Sequence, residues 1–321
     1  MTFECIKART AYQWFAAALL TVGSCTLSMA QDKTQPPSQP ELAQQGMAAK
    51  SMATRKTDSS TLNRIKANGV IHLGFREQEP PFSFINEDGK PVGYSIDLCD
   101  VIASQVKQVL RLKELKVKYV PVTAENRFSA VASGQIDLLC GSTTQTVERR
   151  QWVDFSHKTF VTGAAILSHN SKPVKDYATL EGMKIGVLQG TTTVKALNRL
   201  LKERNINANV VPVQSSEKAL SMILDGELNA FSADQLVLYG LLVTSEAPGE
   251  FKVSQEVFSY EPLALAMSRN DSDFRLLVDG TLSELSRSKV IYAIYKKWFG
   301  LFNKEMNPIT QAMYRLNVIP R

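Results

Sequence analysis

Hydrophobic and polar positions change period at regular intervals along this chain. A helical stretch, Leu62 to Asn68, ends at Gly69 and leads into Val70–Phe75 (VIHLGF), an apolar run of strand length. After a Pro-rich loop, residues 93 to 110 carry helical spacing, and Leu115 to Val122 (LKVKYVPV) alternates as a strand does. Thr123 is placed to cap a helix reaching about Ser133, and Ile136 to Cys140 (IDLLC) reads as a buried strand. The first half is therefore β-α-β-α-β. The pattern then restarts. Lys184–Leu188 is a strand, Gly190-Thr191-Thr192-Thr193 opens a helix to about Arg204, and Ala208 to Val213 is a strand. Ser215 to Asp225 is a helix stopped by Gly226, and Ala230 to Ser232 is a strand leading to Asp234. A further apolar strand, 261–268, precedes two helices, Ser272 to Ser286 and Lys289 to Phe299.

Alternating strands and helices imply an α/β fold of mostly parallel sheets flanked by helices. Two such units predict two lobes with a cleft between them, residues 61–161 plus 261–321 forming the first lobe and 162–260 the second. The chain then crosses between lobes near Val161–Gly163 and Ser259–Glu261.

The N-terminus reads differently. Lys7 and Arg9 precede a 12-residue apolar segment, Ala11 to Val22, and Ser28-Met29-Ala30 is a small-x-small cleavage site. Residues 1–30 are thus expected to be a secretory signal peptide, directing the chain to export. An uncleaved anchor, or lipidation through Cys25 in Val22-Gly23-Ser24-Cys25, is the alternative. Residues 31–60 hold Gln, Pro, Ser and Lys and few large apolar side chains, so they read as a flexible linker. Export favours pairing of Cys99 with Cys140, the two cysteines remaining in the mature chain; two buried thiols are the alternative.

Composition narrows the function classes. Of 321 residues, 44% are hydrophobic and 21% charged, which fits an ordinary globular chain. The net charge is +6, or +5 without Glu4, Lys7 and Arg9 of the signal, and no Lys/Arg block occurs, so no nucleic-acid partner is expected. Three histidines, no H-E-x-x-H and no C-x-x-C argue against a metal site, and no cofactor is implied. G-x-S-x-G, the P-loop and a G-x-G-x-x-G after a strand are missing too, and His157 has no obvious Ser or Cys partner, so no catalytic residue is assigned. Glu77 and Glu79 read as solvated loop carboxylates, a catalytic pair near the cleft being the alternative.

In open α/β sheets, ligands bind beyond the carboxyl ends of the strands. Arg76 follows the first strand, Arg127 the second, and Gly141-Ser142-Thr143-Thr144 the third, with Arg149 just beyond. Arginine near a helix start opposes the macrodipole, which suggests an anion to be held. The second lobe offers Thr191 and Thr192 at a helix N-terminus, and Asp234 at a strand end for a cation, an N-cap role being its alternative. Three arginines and one aspartate suit two carboxylates and one ammonium, an acidic amino acid.

Several strings in the chain carry a resemblance. They are Gly74-Phe75-Arg76-Glu77, Pro81-Phe82-Ser83-Phe84, Gly93-Tyr94-Ser95-Ile96-Asp97-Leu98, Thr123-Ala124-Glu125-Asn126-Arg127, and Cys140-Gly141-Ser142-Thr143-Thr144 followed by Val147-Glu148-Arg149. Over about residues 61–305 the chain resembles the periplasmic amino-acid-binding proteins of ABC importers, the family 3 extracellular solute-binding proteins, and within them the glutamate/aspartate branch. The resemblance implies a monomeric type II periplasmic-binding-protein fold that delivers L-glutamate or L-aspartate to a membrane ABC permease. It implies that Arg149, Thr144, Thr191 and Thr192 clamp the α-carboxylate. Asp234 and the Ser142 carbonyl would take the ammonium, Arg76 and Arg127 the side-chain carboxylate, and Phe82 would form an apolar wall. Two positions depart from the branch: Ala124 replaces a frequent serine, and Ser216 stands where a relative has histidine. The rivals are an exported enzyme on the same fold, similar to cyclohexadienyl dehydratase, a sensory module with the same ligand site, and a binding protein for another polar amino acid.

Overall fold

The computed structural model describes residues 60–300, 302 and 306–320. The signal segment, Cys25 and the linker up to residue 59 lie outside them. The chain begins with α1 (Ser60–Asn68), β1 (Val70–Phe75), a small sheet of β2 (Gln78–Glu79), β3 (Ser83–Ile85) and β4 (Pro91–Val92), and α2 (Tyr94–Val109). It continues through β5 (Lys116–Pro121), α3 (Arg127–Ala132), β6 (Leu138–Cys140), β7 (Val153–Thr162) and β8 (Ala164–His169). Next come β9 (Lys184–Leu188), α4 (Thr192–Glu203), β10 (Asn209–Val213), α5 (Ser216–Leu224), β11 (Ala230–Asp234), α6 (Gln235–Thr244) and β12 (Phe251–Val253). The last elements are β13 (Glu261–Ser268), α7 (Ser272–Arg287), α8 (Val290–Phe299) and α9 (Pro308–Leu316).

Two five-stranded sheets organise these elements, in the orders β5-β1-β6-β13-β7 and β10-β9-β11-β8-β12. Each sheet is mixed in the same way. Three strands of a β-α-β-α-β unit run parallel, and two more pair antiparallel on one side. The antiparallel strands β7 and β8 are continuous but for Gly163, which carries the chain from one sheet to the other. The chain returns through residues 254–260 into β13. Both passages thus lie on the same side of the strand orders, leaving β5 and β10 as the edges farthest from them.

Periodicity explains the helices. In α2 the residues Tyr94, Leu98, Ile102 and Val106 recur every four positions and are buried. In α4 the buried stripe is Thr193, Ala196, Leu197, Leu200 and Leu201. The sequence expects a helix capped by Thr123, but α3 starts at Arg127. Thr123 and Asn126 instead bond each other in the preceding turn, the Thr123 N–H donating to Asn126 Oδ1 at 2.7 Å and the Asn126 N–H to Thr123 Oγ1 at 3.2 Å.

A second core feature corrects an expectation. Phe82 is fully buried, with its ring 5.3 Å from Phe160, 5.4 Å from Phe299 and 6.2 Å from Tyr94. The Tyr94 and Tyr314 hydroxyls meet at 2.7 Å beside it. Aromatic rings gain more from such edge-to-face neighbours than from a polar cleft. Phe82 is therefore part of the packing beneath the first sheet and not a wall of the cleft.

Cys99, in α2, is bonded to Cys140, the last residue of β6. The bond anchors the helix at the strand end from which the Gly141–Thr144 loop departs, and the Ser95 hydroxyl adds a hydrogen bond of 3.0 Å to the Gly141 carbonyl. Closing a span of 41 residues removes unfolded-state entropy corresponding to about 4 kcal/mol on the chain-entropy account. The double variant Cys99→Ala/Cys140→Ala should lose stability of that order, read as a lowered urea midpoint.

Candidate functional site

A cavity of about 40 Å³ lies between the carboxyl-end rims of the two sheets. Arg76, Arg127, Ser142, Thr144 and Arg149 line it from one side, and Thr191, Thr192 and Asp234 from the other. Eight of the nine residues expected from the sequence thus meet at one cavity, the exception being Phe82. Glu79, Ser216 and Ser232 also line it.

The three arginines differ in their surroundings. Arg76 Nη1 pairs with Glu79 Oε1 at 2.7 Å, and Glu79 Oε2 also accepts from the Ser142 hydroxyl at 2.7 Å. Glu79 is buried rather than solvated, so Arg76 is already matched by an anion. Arg127 is 3% exposed and has no carboxylate partner among the described residues; its Nη1 donates to the Ala124 carbonyl and its Nη2 to the Gly190 carbonyl at 3.0 Å. Arg149 donates to the Thr144 carbonyl at 2.8 Å and to the same Gly190 carbonyl at 3.1 Å. Both guanidinium groups also lie over the Phe128 ring, at 4.7 and 5.0 Å from its centroid. Burial, with the cations of Arg149 and Arg76 adding to it, pushes Arg127 down to about 9. A guanidinium keeps its proton in practice, so the shift marks a cation short of negative charge.

The acids form the complement. Glu261, at the start of β13, is 2% exposed and accepts from Thr144 Oγ1 at 2.6 Å, Thr192 Oγ1 at 2.7 Å and Ser259 Oγ at 2.7 Å. It therefore ties together threonines from the two sides of the cavity. Asp234 stands at the N-cap position of α6 but makes no side-chain capping bond. Burial first, then Glu261 and Glu79, raise its carboxyl well above the ordinary range, against the pull of Arg149 and Arg127. A cation placed beside Asp234 would restore its charged form. Thr191 donates its hydroxyl to the Leu188 carbonyl at 2.7 Å, so this hydroxyl's proton is committed to its own turn.

Glu79, Phe128 and Glu261 escaped the sequence reading. Their roles rest on partners far along the chain, and only the Arg76/Glu79 spacing hinted at a pair.

The two rims are in contact in this structure. Besides the Gly190 bonds, Lys195 pairs with Glu148 at 2.5 Å and Gln78 donates to Glu217 at 2.8 Å. Two glycines permit the approach. Gly190 has φ +73°, and a Cβ there would lie 2.8 Å from the Ala124 carbonyl oxygen. A Cβ on Gly240, in α6, would lie 2.1 Å from the Pro80 carbonyl oxygen.

Two sheets joined by two passages, with a charged cavity between their rims, define a two-lobed binding protein of the type II periplasmic kind. The chain belongs to the bacterial extracellular solute-binding proteins, family 3, whose pattern matches residues 71–301. It is 34% identical over 242 residues to the L-glutamate/L-aspartate-binding protein of Pseudomonas aeruginosa, covering 75% of this chain and 80% of that one. The glutamate/aspartate import solute-binding protein of Escherichia coli (strain K12) is 32% identical over 258 residues, covering 80% and 83%. Among solved structures, the solute receptor for L-cysteine of Neisseria gonorrhoeae matches with a TM-score of 0.68 at 25% identity, over 78% of this chain and 98% of that one. The chain is thus a binding protein and not an enzyme.

The Gly240 contact has a measurable consequence. In Gly240→Ala the rims should no longer meet fully, and the apparent affinity should fall about tenfold or more as the competent state becomes rarer. Alanine suits a helix interior better than glycine by about 1 kcal/mol, so the melting temperature without ligand should not fall. Calorimetric titration beside thermal unfolding separates the two effects.

Proposed function

We propose that this chain captures L-glutamate or L-aspartate in the periplasm by closure of two lobes and hands it to a membrane ABC permease. The observation that carries this reading is the cavity itself: the buried guanidinium of Arg127 and the half-buried one of Arg149, neither bonded to a carboxylate among the described residues, facing Asp234, whose carboxyl is raised. The relatives named above bear the same ligands in their names. Residues 61–161 with 261–321 act as one lobe and 162–260 as the other, hinged where β7 meets β8 and where β13 begins. The protein works as a monomer.

Arg149 and the N–H groups at the start of α4 receive the α-carboxylate, a helix N-terminus being suited to an anion. Asp234 receives the ammonium. Arg127 receives the distal carboxylate, and Arg76, held by Glu79, adds a weaker contribution than a free arginine would. Ser216 adds a small, neutral hydroxyl to the lining.

Calorimetric titration of the refolded mature chain with L-glutamate, L-aspartate, L-glutamine and L-histidine tests this. Tight binding of the two acidic amino acids over the others supports it, and silence toward both overturns it. Arg149→Ala should cost about 2–5 kcal/mol of binding for every amino acid, whereas Arg127→Ala should cost more against glutamate than against glutamine.

The pH dependence carries a sign. Asp234's carboxyl is raised, and an ammonium beside it lowers it again, so binding expels a proton wherever the free site is protonated. Affinity should therefore fall with decreasing pH, starting above the ordinary carboxylate range near 4. In Asp234→Asn that early decline should vanish, checked by titrations across pH in buffers of different ionisation enthalpy.

A further inference from the structure

The cavity does not end at Arg76 and Ser216. These two residues, with Leu188, also line a second and larger space of about 600 Å³. Its walls are residues 122–125 on one side, and Gln189 with residues 212–215 on the other. These segments follow β5 and β10, the edge strands farthest from the two passages between sheets. None of the α-end groups, Arg149, Thr144, Thr192 or Asp234, borders it. The cleft therefore stays open at the end where an amino-acid side chain would point.

The chemistry of that junction is not that of a carboxylate pocket alone. Arg76 is engaged by Glu79. Ser216 is 1% exposed, yet its hydroxyl has no hydrogen-bond partner, and the buried Nε of Arg127 has none either. An unpaired buried donor and an unpaired buried hydroxyl cost free energy until a ligand meets them. A secondary amide supplies both partners: its carbonyl oxygen accepts from Arg127, and its N–H donates to the Ser216 oxygen. The substituent on that nitrogen then points into the outer space. Glu77 and Glu125, both exposed, stand at its wall and disfavour an anionic substituent.

We infer that this site also takes N5-substituted L-glutamines, the γ-glutamyl amides of small neutral amines, with the substituent lodged between residues 122–125 and 212–215. The inference rests on the proposed reading of Arg149 and Asp234 as the α-amino-acid clamp.

The test is titration of the full mature chain with L-glutamate, N5-ethyl-L-glutamine and γ-L-glutamylglycine, repeated in Gln214→Trp, which fills the outer space. Replacing a charge-assisted bond by a neutral one leaves N5-ethyl-L-glutamine within about a hundredfold of L-glutamate. γ-L-Glutamylglycine, with its extra carboxylate, binds more weakly than the ethyl amide. Gln214→Trp lowers affinity for the ethyl amide at least about tenfold more than for L-glutamate. Glutamate binding with the ethyl amide more than about a hundredfold weaker overturns the inference and leaves the proposed function standing. Equal losses for both ligands in Gln214→Trp overturn it as well. No binding of L-glutamate or L-aspartate overturns the proposed function and this inference with it.

Discussion

The carbonyl oxygen of Gly190 accepts hydrogen bonds from both Arg127 and Arg149. Much else in the structure follows from that convergence. Two cations are drawn to one backbone dipole and one aromatic ring, Phe128, where their mutual repulsion adds to the cost of burial. A carbonyl carries only a partial charge, so the contact joins the rims without neutralising them. An anion bound between the guanidinium groups does neutralise them. On the proposed reading, closure and anion binding are coupled through the same two side chains, and the ligand's preference for the closed arrangement shifts the population.

The acids give that coupling its direction. Glu79 is committed to Arg76, and Glu261 is committed to the hydroxyls of Thr144, Thr192 and Ser259. Asp234 alone among the three lacks a hydrogen-bonded donor of its own, and it carries the raised carboxyl. Where the cations lack an anion and the one free acid lacks a cation, a zwitterion satisfies both at once. A plain dicarboxylate would leave Asp234 uncompensated, and an amine would leave Arg127 and Arg149 so.

Much of this was legible in the sequence, for reasons that differ by residue. β1, β9 and β13 were bounded by glycine, polar residues and loop chemistry, and their spans agree with the runs VIHLGF, KIGVL and EPLALAMS. The parallel half of each sheet follows from alternating periods, and the rule for strand ends then put Arg76, Arg127, Arg149 and Asp234 near one another. β7, β8 and α6 did not stand out, because residues 153–169 run through one glycine without a turn signal and α6 is apolar nearly all round. Glu79 looked like a loop carboxylate because its burial depends on Ser142, 63 positions away. Phe82 looked like a cleft wall because its actual neighbours, Phe160 and Phe299, lie 78 and 217 positions further on.

Sheet order carries the last step. In both sheets the antiparallel strands sit on the side where the chain passes between lobes, and the parallel edge strands sit opposite. The α-end groups come from segments near the central strands and the passages: Thr144 bridges to Leu263 in β13, and Asp234 ends β11 beside β8. The side-chain end instead falls between segments following β5 and β10, which have no further strand beyond them. On the proposed reading, amino-acid recognition is therefore enclosed where the lobes are joined, while the distal end is bounded by turns. The neutral Ser216, with its unpartnered hydroxyl, stands at that boundary.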